Sequence, residues 1–187
     1  MSTRILIVED EPPLIEVLRY NLESEGFVTL VATDGEEALL LVEEENPDLV
    51  ILDWMLPELS GIDVCRRLRE TKKFKTIPII MLTAYSEMNR IVEARDSGVN
   101  EFVVKPISVN TLFSRIQAVI EKPRPFIRNN NFFGPDRRRK DMPFNEPDRR
   151  KAPSTLPDGL GSSEPQLDQD EVNEFMNVPK GEGESEA

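Results

Sequence analysis

Across its first 121 residues the chain alternates short apolar runs with stretches of helical periodicity. The runs fall at 4–9, 28–32, 48–52, 77–82 and 101–104, with helical spacing between them near 13–25, 35–45, 63–70, 88–97 and 108–121. The central runs, ILIV, LVIL and PIIML, are continuous rather than alternating, as expected of strands buried on both faces. Gly26 and Gly98 stand where left-handed helix ends want glycine, and Pro12 and Pro13 suit a first helical turn. This order predicts an α/β fold of five βα units, a five-stranded doubly wound parallel sheet with helices on both faces.

After Glu121 that pattern stops. Residues 122–187 hold 9 of the 15 prolines and no run able to bury a core, so a largely disordered C-terminal tail is expected. Charge divides the chain in the same places. Residues 1–121 carry 12 basic and 22 acidic side chains, 122–153 carry 10 and 4, and 154–187 carry 1 and 9. The expected organisation is a folded domain over 1–121, a basic Pro-containing tail over 122–153 and an acidic disordered tail over 154–187. The tail contains one imperfect repeat, FFGPDRRRK at 132–140 and FNEPDRRK at 144–151. Near its end, residues 168–178 (DQDEVNEFMNV) can form a short acidic amphipathic helix on meeting a partner.

Four apolar runs each stop at one polar residue: Asp10, Asp53, Thr83 and Lys105. In an open parallel sheet the carboxyl ends of the strands form the ligand crevice, so these groups converge. Glu9, Asp10 and Glu11 follow the first strand and Asp53 ends the third; of these, Asp10 and Asp53 are suitable ligands for a hard cation such as Mg²⁺. A carboxylate can also accept a phosphoryl group when a cation neutralises the approaching charge, and Asp53 is central in the sheet. Lys105 and Thr83 could then pair with phosphoryl oxygens. Taken singly, each residue has a plainer reading: Glu9 or Asp10 as a helix cap, Thr83 as a strand residue, Lys105 as a solvated strand end, Pro106 and Gly61 as turn residues. Four compatible groups at four strand ends favour a site.

The composition narrows the chemistry. With no histidine, an imidazole-based triad and a histidine phosphodonor are excluded. The single Cys65 permits no internal disulfide and, within the amphipathic GIDVCRRLRE segment, reads as a reduced core thiol. No stretch approaches the roughly 20 apolar residues of a membrane span and no cleavable signal precedes the first strand, so a cytoplasmic location is expected.

The order EDE, LDWMLPELSG, MLTA and VVKP resembles the receiver domain of bacterial two-component response regulators, in register over residues 3–121. The resemblance implies a flavodoxin-like strand order 2-1-3-4-5. It makes Asp53 the phosphoacceptor, with Mg²⁺ held by Asp10, Asp53 and the Met55 carbonyl, and Glu9 reaching it through water. Thr83 is implied as the switch hydroxyl, Lys105 as the counter-ion, Phe102 as the rotating aromatic and Lys105–Pro106 as a cis bond. Ala84 would leave the phosphoryl group accessible. Glu9 stands where a second aspartate is commoner, as in the phosphate-regulon type, and Phe102 lacks a hydroxyl. A receiver of this kind catalyses its own phosphorylation and slow dephosphorylation rather than turning over a substrate.

Residues 1–70 look most like the phosphate-regulon type, and the segment from Ile77 through GPDRRRK is similar to stand-alone receivers with a basic tail. No winged-helix pattern follows residue 121, so the expectation is a stand-alone regulator. Its implied partners are a sensor histidine kinase or histidine phosphotransfer protein upstream and a protein target downstream. A phosphorylation-dependent homodimer would use paired charges on the fourth helix, fifth strand and fifth helix. Asp96, Glu101 and Arg115 are present for this, whereas Ile91, Asn100 and Thr111 stand in place of partners. The alternative is a nucleic-acid-binding regulator acting through RRRK and RRK, which the net charge of −12 disfavours.

Overall fold

The computed structural model describes residues 2–84, 88–129 and 132–136. The strands are β1 (Arg4–Val8), β2 (Val28–Ala32), β3 (Leu49–Asp53), β4 (Ile79–Thr83) and β5 (Glu101–Val104). The helices between and after them are α1 (Pro12–Ser24), α2 (Gly35–Glu45), α3 (Gly61–Glu70), α4 (Met88–Asp96) and α5 (Val109–Glu121). All five strands pair in parallel in the order β2-β1-β3-β4-β5, the doubly wound sheet expected from the apolar runs.

The continuous apolar strands feed two cores. On one face Leu6, Val8, Val50, Leu52, Ile79 and Met81 pack with the buried sides of α2 and α3. On the other, Ile5, Ile7, Leu49, Ile51, Ile80 and Leu82 meet Leu18 and Leu22 of α1 and Leu112, Ile116 and Val119 of α5. Alternate residues of each strand thus serve opposite faces, as the period of two requires. Local signals set the helix ends. Asp34, Ser60 and Ser108 accept the amides of Glu37, Asp63 and Thr111 at the starts of α2, α3 and α5. Gly26 and Gly98 lie at φ +86° and +93° where α1 and α4 end.

The fold continues past residue 121. Beyond α5, β6 (Phe126–Asn129) and β7 (Phe132–Pro135) form an antiparallel hairpin, and β7 packs against α4. Phe132 and Gly134 are buried in that contact. The first repeat copy therefore begins in β7. Its seat on the domain replaces the core it could not build alone. The second copy, the acidic segment and residues 168–178 lie outside the described residues.

Candidate functional site

The β3 strand ends in Asp53, whose side chain is 4% exposed, and β1 is followed by the wholly buried Glu9 and the exposed Asp10. Carboxylate oxygens of these three residues lie within 4.8 Å of one another. Lys105, directly after β5, extends its ammonium between them, 2.9 Å from Asp53 Oδ1 and 3.0 Å from Glu9 Oε2. Glu11 Oε1 lies 4.0 Å from the same nitrogen. The Met55 amide donates to Asp53 Oδ2 at 3.1 Å, and the Glu11 amide donates to Glu9 Oε1 at 3.3 Å. Each Asp53 oxygen thus has one donor and keeps a lone pair for a further partner.

Parallel pairing brings the remaining residues to this end of the sheet. Thr83, the last residue of β4, is 1% exposed, and its carbonyl accepts the Lys105 amide at 2.7 Å. Ala84 is exposed and the Lys105–Pro106 peptide is cis, whereas Phe102 is buried one position into β5, toward its amino end and away from the acid cluster. Gly61 is required here. A Cβ on it would stand 2.0 Å from the Asp53 carbonyl oxygen, so only glycine lets α3 begin against the end of β3. Its amide donates to the Trp54 carbonyl at 3.0 Å and fixes the loop that carries Met55.

The charges are out of balance. Burial pushes the Glu9 carboxyl above its usual value; the Lys105 hydrogen bond opposes this and the Asp53 charge adds to it. Burial would lower the Lys105 ammonium, but its hydrogen bonds to Asp53 and Glu9 together outweigh that and hold it above its usual value. Two carboxylates at such separations repel by about 3–4 kcal/mol at an effective dielectric of about 20. One ammonium leaves three close carboxylates with net negative charge. An all-oxygen donor set with surplus charge fits a hard divalent cation such as Mg²⁺.

Two features of the site were not assigned from the sequence. Glu9 is the direct partner of Lys105, 96 residues away, and Glu11 is a fourth carboxylate at its edge. Only the topology brings the first pair together. Of the residues expected on a dimer face, Glu101 is buried and paired with Arg115 at 3.4 Å and Arg124 at 2.9 Å, and Asn100 is buried as an internal hydrogen-bond acceptor.

Among the described residues no helix is long and apolar enough to cross a membrane. Comparison with known proteins matches residues 5–117 to the model of the response regulator receiver domain. The phosphate regulon transcriptional regulatory protein PhoB of Rhizobium meliloti is 46% identical over 125 residues, covering 67% of this chain and 55% of that protein. The DNA-binding response regulator MtrA of Mycolicibacterium smegmatis is 44% identical over 122 residues, covering 65% and 52%. This chain spans about half the length of these curated relatives. Among solved structures, a putative response regulator from Chloroflexus aurantiacus superposes with a TM-score of 0.63 at 31% identity, covering 65% of this chain and all of that one. The receiver domain of the Pseudomonas aeruginosa sensor kinase PA1611, whose structure holds a magnesium ion in its active-site cleft, gives 0.61 at 29% identity, with coverage of 65% and 100%. A family match over most of the domain, on the expected parallel sheet, makes this chain a member of the response regulator receiver domain family.

Proposed function

We propose that this chain is a stand-alone, cytoplasmic phosphoacceptor, in which Asp53 takes a phosphoryl group from a histidine kinase or phosphotransfer protein and so changes the chain's protein contacts. In the transfer an Asp53 carboxylate oxygen attacks phosphorus, the bond from phosphorus to the donor imidazole breaks, and the imidazole departs with a proton. Asp10, Asp53 and the Met55 carbonyl would hold Mg²⁺, with Glu9 acting through water. The ion supplies charge neutralisation for the incoming phosphoryl oxygens. Lys105 pairs with those oxygens, and Thr83 donates its hydroxyl to them. Phe102, packed in β5, would follow Thr83. The observation that carries this reading is the Lys105 ammonium placed between Asp53 and Glu9 in a cluster of three carboxylates.

Intact-mass spectrometry after incubation with acetyl phosphate and Mg²⁺ tests it. The native chain should gain one phosphoryl mass and Asp53→Asn should gain none; equal gain by both would overturn the reading.

The second reading, binding of nucleic acid through the basic clusters, draws on relatives named as transcriptional or DNA-binding regulators. It requires DNA retention that weakens with salt and disappears when residues 137–187 are removed.

A further inference from the structure

At the opposite end of the sheet one guanidinium ties together the strands that carry Thr83 and Lys105. Arg69, in the last turn of α3, is 6% exposed. Its Nε donates to the Gly98 carbonyl at 2.9 Å, Nη1 to the Ile77 carbonyl at 2.8 Å and Nη2 to Asn100 Oδ1 at 3.0 Å. The same Asn100 oxygen accepts the Ile79 amide at 2.9 Å, and the Asn100 amide donates to the Ile79 carbonyl at 2.9 Å. Arg69 therefore fixes the entry to β4 and the entry to β5. Those strands are five and four residues long, and Thr83 and Lys105 stand at their far ends.

The hairpin seals this node. The Phe126 ring lies 5.0 Å from the Arg69 guanidinium and 5.5 Å from the Phe133 ring. The backbones meet at a glycine pair. A Cβ on Gly98 would lie 2.8 Å from the Phe133 carbonyl oxygen, and one on Gly134 would lie 3.0 Å from the Gly98 Cα and 2.5 Å from the Phe132 ring. Arg124, just before the hairpin, binds Glu101, the first residue of β5, at 2.9 Å. A two-stranded hairpin is marginal by itself, so its order depends on this seat.

We infer that the β6–β7 hairpin is a lid whose seating on Arg69 holds β4 and β5 in the arrangement seen here, so that lid docking and a phosphoryl group on Asp53 oppose one another. The inference rests on the phosphoacceptor reading. A phosphoryl group adds three acceptor oxygens that compete for the Lys105 ammonium, now paired with Asp53 and Glu9, and for the Thr83 hydroxyl. Inserting those oxygens beside an ammonium already 2.9 Å from Asp53 Oδ1 shifts the strand ends, while the other ends of the strands are pinned beneath the lid. Packed strands transmit such a displacement rather than absorb it. By linkage, whatever favours one arrangement disfavours the other by the same factor.

Beryllofluoride with Mg²⁺, a phosphoryl mimic, tests this in the full chain. Binding is read from the single Trp54, buried next to Asp53. Phe126→Ala and Gly134→Val lift the lid without touching the acid site. Both should bind beryllofluoride at least about 5-fold more tightly than the native chain, and in the native chain the mimic should speed amide exchange in β6 and β7 about 5-fold. A native chain that responds to the mimic, with unchanged or weaker binding in both variants and unchanged exchange, would overturn the lid and leave the phosphoacceptor reading standing. A native chain that does not respond at all would overturn both.

Discussion

The β4 and β5 strands end in buried charge at both extremities, and the two ends handle it differently. At the amino ends Arg69 meets three uncharged oxygens, and the Phe126 ring lies over it. At the carboxyl ends Lys105 meets carboxylates in excess, beside an exposed Asp10. The first arrangement is satisfied as it stands. The second carries surplus negative charge, which on the proposed function an added cation would offset. The difference separates a fixed pivot from a responsive site, and α3 connects them, with Gly61 against Asp53 and Arg69 in its last turn.

The sharpest way to break this contrast is Arg69→Met. It takes the guanidinium donor from the Gly98 and Ile77 carbonyls and leaves the Asn100 amide oxygen with the Ile79 amide alone, at about 3 kcal/mol or more in denaturant unfolding. Mg²⁺ should not restore that loss. Next in size is Gly61→Ala. Its methyl would collide with the Asp53 carbonyl, costing about 2 kcal/mol and slowing phosphoryl gain by moving the loop that bears Met55. Stability and intact-mass time courses on the same preparation check both effects.

Lys105→Met probes the responsive end. It removes the cation between Asp53 and Glu9 and should lower metal-free stability by about 1–2 kcal/mol. Here Mg²⁺ should return much of the loss, the opposite of Arg69→Met, as measured by thermal unfolding with and without the ion.

The smallest effect concerns pH. Because burial, with the Asp53 charge, raises the Glu9 carboxyl above its ordinary 4.5, the folded metal-free chain holds that proton more tightly than the unfolded chain does. Stability from this group is full below 4.5 and is lost as pH rises through the elevated folded-state value. Glu9→Gln should flatten that part of the stability profile, and saturating Mg²⁺ should flatten it in the native chain.

The responsive end was legible in the sequence because a parallel sheet gathers its strand ends. Asp53, Thr83 and Lys105 each terminate an apolar run, and the runs themselves gave the strands. The pivot was not legible. Arg69 sits in RRLRE beside the exposed Arg66 and Arg67, and nothing local marks it as the buried one. Its partners Ile77, Gly98 and Asn100 reach it only through the tertiary fold. The hairpin had a faint signal, two short aromatic runs on either side of Asn residues at 129–131. Its proline-rich, basic surroundings masked that signal, because β7 is buried against the domain rather than against a core of the hairpin's own.

Formation of an acyl phosphate on Asp53 within a Mg²⁺-dependent acid site, as proposed, is open to direct chemical test. Treating the phosphorylated full chain with borohydride converts the modified aspartate to homoserine, and peptide mass spectrometry then locates it. Homoserine at position 53, formed only when Mg²⁺ was present during phosphorylation, is the predicted result. Homoserine at another carboxylate, or at position 53 in equal amount without the ion, would contradict it.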